Sequence, residues 1–337
     1  MNSKKFSLVI KKPIKDFRKQ IIVDSDKSIS IRSFLLGSIS QGVSLVKNVL
    51  ESEDVFSTIN CLQKLNIKVL SLGNKTYKIF GKGLGSYKAK KASKLYFGNS
   101  GTLARLIIGI VTSTPNINLK IFGDKSLNKR SMKKLIILME SFGAEFYPKK
   151  KYFFPLRISS TNYPIGISYR SSTSAQLKSA VILAGLNSYG NTEIIENYKS
   201  RDHTENMLKK NNHAIKIING NSKKIKIFGK NNLDKFSINV PGDPSSAAFF
   251  TALTLLKKNS YLKIKKVGLN PTRIGFYSLL KKSGAKIQFT NKKKINNEQV
   301  GDIIVKSSKL KPINASKKYY LNTTDEYPIL FIISALT

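Results

Sequence analysis

A chain of 337 residues, 41% of them hydrophobic, can bury a large core, has the length of two domains and is too apolar to be disordered throughout. A single cysteine, Cys61, and two histidines exclude a disulfide framework and argue against a His/Cys zinc site, while the lack of a membrane-length apolar run or signal-peptide core points to a cytoplasmic protein. The net charge of +40 invites a nucleic-acid partner, but only eight of the 59 basic residues are arginine and the lysines are spread through every segment, a pattern of solvated faces rather than of recognition.

The first strong element is "DKSISIRSFLLGSIS" from Asp26, a small-residue apolar helix whose start gathers Lys27, Ser28 and Arg32 within about one and a half turns. "SEDVFSTINCLQKLNIKV" follows, an amphipathic helix that stops at Asn and passes into a β-branched run. "GKGLGSYK" reads as a turn over Gly81 to Gly85, since it does not open a helix as a dinucleotide loop would. "NSGTLARLIIGIVTS" from Asn99 is the next apolar helix; Gly98 and Gly101 allow close backbone approach there, and Arg105 lies one turn inside. "SLNKRSMKKLIILMESFGAEF" reads as one helix ending at Gly.

"TSAQLKSAVILAGL" from Thr173 places Ser174 and Gln176 at a third apolar helix start, and "SRDHTENMLKKNNHAIKI" is its amphipathic companion. Asp202 and His203 are adjacent and so cannot relay a proton as a triad does; His203 is expected in a polar network. "DPSSAAFFTALTLL" from Asp243 and "NPTRIGFYSLLKKSGAKI" repeat the pair. A fifth apolar helix, "TDEYPILFIISAL" from Thr324, opens with Asp325 and Glu326 and has Pro328 just inside. Acidic residues there either complement the helix dipole or supply a carboxylate base; residue types leave both open.

The apolar helices recur about every seventy to eighty residues. Each repeat is a subdomain of strand, helix, strand, helix and further strands, longer than a solenoid turn. The fifth breaks off after its first helix with no cap, so the chain is expected to be C-terminally incomplete. Ser, Thr, Asp and Asn at a helix start are ordinary caps. Three such starts together, two carrying an arginine, point instead to anion sites, where free N–H groups and the positive dipole end favour phosphate or carboxylate. Where arginine persists in so lysine-rich a chain, a rigid bidentate fork is expected.

Eight blocks in order, "SDKSISIR", "FGNSGTLAR", "GDKSLNKR", "SAQLK", "SRDHTE", "VPGDPSSAAFF", "NPTRIG" and "DEYP", resemble the 5-enolpyruvylshikimate-3-phosphate synthase family from about Ile14 to the end. The short blocks "RDHTE", "GDKS", "SAQLK" and "NPTR" are similar to the class II branch, which is associated with glyphosate tolerance. The resemblance implies an α/β (α+β) fold of two domains, each of three βαβαββ units. One domain would span residues 24–242; the other, incomplete, would comprise 1–23 and 243–337, with crossings near Val23 and Gly242.

It also implies transfer of the enolpyruvyl group of phosphoenolpyruvate to the 5-hydroxyl of shikimate 3-phosphate, with release of phosphate and no metal or organic cofactor. Its partners would be those two small molecules, not nucleic acid or membrane, and the protein would be a monomer. By resemblance Lys27 touches phosphoenolpyruvate and assists proton transfer, while Ser28 and Arg32 hold the shikimate moiety. Gly101 and Arg130 line the phosphoenolpyruvate phosphate pocket, which Gln176 approaches as it also meets the acceptor. Ser174 and Arg201 grip the acceptor phosphate with Ser200 beside it, and Asp325 is the base at the 5-hydroxyl. Asp54, Asn99 and Arg105 support the site.

Ser131 and Leu106 stand where members of the family have proline, and Gly101 is retained where alanine is one route to tolerance. The related UDP-N-acetylglucosamine enolpyruvyl transferases resemble the chain less, since Lys27 is followed by Ser28 and Cys61 falls in an amphipathic helix pattern. A basic nucleic-acid-binding repeat protein is the non-enzyme alternative, to be recognised by salt-dependent binding.

Overall fold

The computed structural model of the protein describes residues 7, 9, 11–90 and 92–337; residues 1–6, 8 and 10 of the expected second domain lie outside them. After β1 (Arg18–Ile22) the chain runs through four similar segments. The first holds α1 (Lys27–Ile39), β2 (Gln41–Lys47), α2 (Glu53–Lys64), β3 (Lys68–Ser71) and β4 (Tyr77–Lys82). β5 (Lys94–Tyr96) leads into α3 (Gly101–Thr112), β6 (Asn118–Phe122), α4 (Lys125–Asn128), α5 (Lys133–Ser141), β7 (Glu145–Tyr147) and β8 (Leu156–Ser159). β9 (Ser168–Ser171) leads into α6 (Ala175–Gly185), β10 (Asn191–Glu196), α7 (His203–Leu208), β11 (Ile215–Ile218) and β12 (Lys223–Phe228). β13 (Ser237–Asn239) precedes α8 (Pro244–Leu256), β14 (Tyr261–Gly268), α9 (Gly275–Lys282), β15 (Lys286–Ile295) and β16 (Glu298–Lys306). The described chain closes with α10 (Tyr320–Thr323), a 3-10 turn at Thr324–Glu326 and α11 (Tyr327–Leu336).

Four of the five apolar helices begin where a short polar side chain turns back on the backbone, and α11 does not. Asp26, Ser100 and Ser174 accept from the N–H three residues on, and Asp243 accepts from Ser245 with Pro244 at the first helical position. Three of the amphipathic companions stop as their sequences require, with Asn66, Gly143 and Gly284 in the left-handed region. The third, α7, is a short helix that ends instead at Lys209 in right-handed geometry.

The segment expected as one helix from Ser126 is broken. Asp124 caps a single turn by accepting from Leu127 N–H at 2.7 Å. Met132 N–H then leaves the helical ladder to donate to Tyr152 carbonyl at 2.7 Å, so Arg130 stands in the break before α5. Asp325, expected in the first turn of a fifth helix, sits in the 3-10 turn just before α11.

Among the described residues four four-stranded sheets share one plan, with orders β13-β2-β4-β3, β5-β6-β8-β7, β11-β12-β10-β9 and β1-β14-β16-β15. In each, the strand after the apolar helix has a parallel neighbour on one side and an antiparallel one on the other. β5 and β9 lead into α3 and α6 and stay in the sheet of their own segment. β1 and β13 are exchanged: β1 leads into α1 but pairs with β14, and β13 leads into α8 but pairs with β2.

The chain therefore crosses twice between two hydrophobic clusters, one drawn from Ile29 to Val240 and the other from Val23 and Ala247 to Ile333. The crossings are tied to each other, Asp26 N–H donating to Pro241 carbonyl and Asp243 N–H to Asp24 carbonyl, both at 2.8 Å. Two caps, Asp26 and Asp243, thus stand side by side.

Candidate active site

The starts of α1, α3 and α6 and the β10–α7 corner converge on the 3-10 turn before α11. Asp26 caps α1, so Ser28 and Arg32 stack one turn apart and Arg32 Nη1 donates to Ser28 carbonyl at 3.0 Å. The rest of that guanidinium is held from α7 and α6: Nε donates to Thr204 Oγ1 at 2.9 Å and Nη2 to Ser179 Oγ at 3.4 Å. Burial pushes Arg32 down to about 10, with Asp26 and Glu205 opposing, and it remains a cation at neutral pH. Lys27 pairs with Asp54 of α2 across 3.2 Å.

At the start of α3, Gly101 lies so close to two arginines that a Cβ would stand 2.7 Å from Arg105 Nη1 and 3.4 Å from Arg130 Nη1. Arg105 Nη1 donates to Gly101 carbonyl and, at 2.9 Å, to Gln176 Oε1. Gln176 Nε2 in turn donates to Thr102 Oγ1 at 3.0 Å. Arg130 Nη2 donates to Asn99 Oδ1 at 2.5 Å and to Ser126 Oγ at 3.3 Å. Burial, then the charge of Arg130, lowers the pKa of Arg105. An anion placed between these guanidinium groups would relieve their repulsion.

Ser28, Arg32, Ser174 and Gln176 line one cleft of about 200 Å³. Ser200, Arg201 and Asp325 line it as well, with Thr102, His203 and Thr324. Arg201 Nη2 and Asp325 Oδ2 meet at 2.6 Å, which joins the first cluster to the second across the cleft. Gly101 and Lys27 are not among the lining residues but are next in sequence to Thr102 and Ser28, which are; Arg130 lies one step further out, beside Gly101 and Asn99. A larger cleft, about 820 Å³, lies between Asn60 and Tyr96 and contains none of the expected site residues.

Several polar residues at the seam had no assigned role. Arg273 of "NPTRIG" is buried, with Nη2 donating to Asp243 Oδ1 at 3.0 Å and to Ser245 Oγ at 2.9 Å, and Nη1 3.6 Å from Asp26 Oδ2. For Asp26, burial would raise the carboxyl, but Arg273 and His203 hold it below its ordinary value. For Asp243, burial and the charge of Asp26 prevail and raise it. Glu326, buried and accepting from Ser245 Oγ, is raised by burial as well.

His203 Nδ1 lies 2.9 Å from Glu298 Oε1, which also accepts from Asn206, while Asn270 donates to the other Glu298 oxygen and to Asp202. His203 thus takes the network role its sequence neighbours suggest. The sequence signals for Arg273 were its place in the "NPTRIG" block and its being an arginine at all. Arg32, Arg105, Arg130, Arg201 and Arg273 all have specific side-chain partners, while Arg18, Arg157 and Arg170 are exposed.

Among the described residues no helix is long and apolar enough to cross a membrane, and no group of three or more His, Cys, Asp or Glu side chains is placed to hold a metal ion.

The profile of EPSP synthase (3-phosphoshikimate 1-carboxyvinyltransferase) matches residues 11–337. A 3-phosphoshikimate 1-carboxyvinyltransferase of Petrotoga mobilis is 39% identical over 328 residues, 95% of this chain and 74% of that protein. One of Zymomonas mobilis is 38% identical over 319 residues, 94% of this chain and 70% of that protein. The solved EPSP synthase of Acinetobacter baumannii superposes with a TM-score of 0.85 at 34% identity, over 95% of this chain and 72% of that one.

Proposed function

The chain belongs to the EPSP synthase family, and from that premise we propose how its cleft serves the transfer of an enolpyruvyl group from phosphoenolpyruvate to shikimate 3-phosphate. It is a transferase of the shikimate pathway, and the residue roles are our reading. The observation that carries them is the convergence of Ser28, Arg32, Ser174, Gln176, Ser200, Arg201 and Asp325, from four separate stretches of sequence, on one cleft.

In this reading Arg201 and Ser174 take the acceptor phosphate and Ser28 and Arg32 its ring substituents. Planar guanidinium groups and a helix start suit such an anion. Asp325, from the second region, accepts the proton of the attacking hydroxyl, and Arg201 holds its carboxylate in place until the acceptor phosphate competes for the guanidinium. Phosphoenolpyruvate lies against Gly101, Arg130 and Gln176. Arg105 and Asn99 fix these groups, and Asp54 orients Lys27, the proton donor to the methylene carbon.

Strong positive charge around two phosphates and two carboxylates lowers the barrier by stabilising charge that shifts to the leaving phosphate. The domain division at residues 24–242 against 1–23 with 243–337 belongs to the same proposal. Its support is the two clusters and the exchange of β1 and β13. The short blocks favour the class II branch, and a monomer suffices for the cleft.

Phosphate release from phosphoenolpyruvate that depends on shikimate 3-phosphate tests the reading. Release driven by UDP-N-acetylglucosamine instead would overturn the substrate assignment.

A further inference from the structure

We propose that Lys178, a side chain outside the cleft, is a positioning residue that fixes the Ser200–Arg201 corner through Glu196. The proposal rests on the reading of the cleft given above only for the identity of the ligand.

Lys178 lies on α6 with no exposed surface, and its Nζ is 2.7 Å from Glu196 Oε1 and 2.8 Å from Glu205 Oε1. A buried ammonium persists only where opposite charge offsets its lost hydration. Two carboxylates do so here, and Lys223 at the edge, 3.4 Å from Glu196 and 3.1 Å from Glu205, balances the second.

The same Glu196 Oε1 accepts from Ser200 N–H at 2.9 Å and from Ser200 Oγ at 2.7 Å. One carboxylate oxygen at the end of β10 therefore takes a charge from α6 and both donors of the residue just before Arg201. Burial would raise the Glu196 carboxyl, but Lys178 and the Ser200 donors outweigh it and keep it charged. An ionised acceptor makes both Ser200 bonds strong, and they set the direction in which the next residue, Arg201, leaves the backbone. With the ammonium gone, Glu196 and Glu205 would face each other with only Lys223 between them. One would take up a proton, and the anchor would loosen.

A double-mutant cycle reads this out by titrating shikimate 3-phosphate into Lys178→Met, Arg201→Ala and the double variant. We expect Lys178→Met to weaken binding about tenfold in the wild-type background and less than twofold further once Arg201 is absent. Equal losses in both backgrounds, or no loss in folded Lys178→Met protein, would overturn the proposal. If Lys178→Met does not fold, the near-isosteric Glu196→Gln decides by the same criteria. Hydrogen exchange at the Ser200 amide separates this from the substrate reading. It should accelerate at least tenfold in the variant whether or not the wild type binds shikimate 3-phosphate, and unchanged protection would count against Lys178.

Discussion

The two regions joined at the crossings use the same apolar helix in different surroundings. In the first, α3 packs against α1 and α6, and nearly every residue of all three is buried. In the second, α8 packs against α11, and each keeps an apolar face in solvent: Phe249 and Phe250 on one, Phe331 and Ile332 on the other. A helix that is hydrophobic all round needs neighbours on all sides. The first region has them and supplies the cleft with Ser28, Arg32, Ser174 and Arg201; the second contributes Asp325 to the cleft and Glu298, Asp243 and Glu326 to the seam. Under the proposed roles, binding and proton removal fall on opposite sides.

The sharpest way to break that division is Asp325→Asn. If the carboxylate is the base, turnover should fall by about a hundredfold or more, while affinity for shikimate 3-phosphate changes far less. Steady-state kinetics that show a raised KM with normal kcat would move Asp325 to the binding side.

Packing gives the next effect. A Cβ at Gly109 of α3 would stand 2.4 Å from the Ala180 carbonyl oxygen of α6, so Gly109→Val should lower stability by about 3 kcal/mol in urea denaturation. A loss below about 1 kcal/mol would mean that α3 and α6 can separate and that the first region is less closed than described.

Acid should act in opposite directions on the Glu196–Glu205 pair and on Asp243 and Glu326. Glu196 and Glu205 are held below the ordinary carboxyl value, so their stabilisation is present above about pH 4.5 and is lost as pH falls through their folded values. Asp243 and Glu326 are raised, so their ionisation costs stability, and acidification from neutral pH toward their ordinary values restores it. Hydrogen exchange against pH should show protection in α8 and α11 rising first, and protection in α6 and α7 failing later. A common direction would contradict the assignment.

The smallest effect belongs to the open face. Phe331→Ser should change stability by less than about 0.5 kcal/mol, because the ring is 67% exposed.

Much of this was legible in the chain, and for physical reasons. Helix starts were readable because Asp26, Ser100, Ser174 and Asp243 cap locally, and stops because Asn66, Gly143 and Gly284 adopt the left-handed turn. Periodicity reports on neighbours three or four residues away, and the repeat followed from it. What depends on distant contacts was not visible. Tyr152 draws Met132 out of the helix expected over Arg130, and the exchange of β1 and β13 leaves no trace in either strand's own residues. Arg273 joins two caps more than two hundred positions apart in the chain, so only its survival as an arginine and its place in the "NPTRIG" block hinted at a role.

The most direct test is calorimetric titration of shikimate 3-phosphate into the wild type, Arg201→Ala and Arg157→Ala. Arg201 faces the cleft and Arg157 is an exposed residue of β8. Losing a charge-assisted partner of the ligand should cost about 2 kcal/mol for Arg201→Ala. Arg157→Ala, which removes the same charge from the surface, should leave affinity within about twofold of wild type, since a solvated charge at that distance is screened. Equal losses for both would show that diffuse positive charge, and not this cleft, holds the ligand.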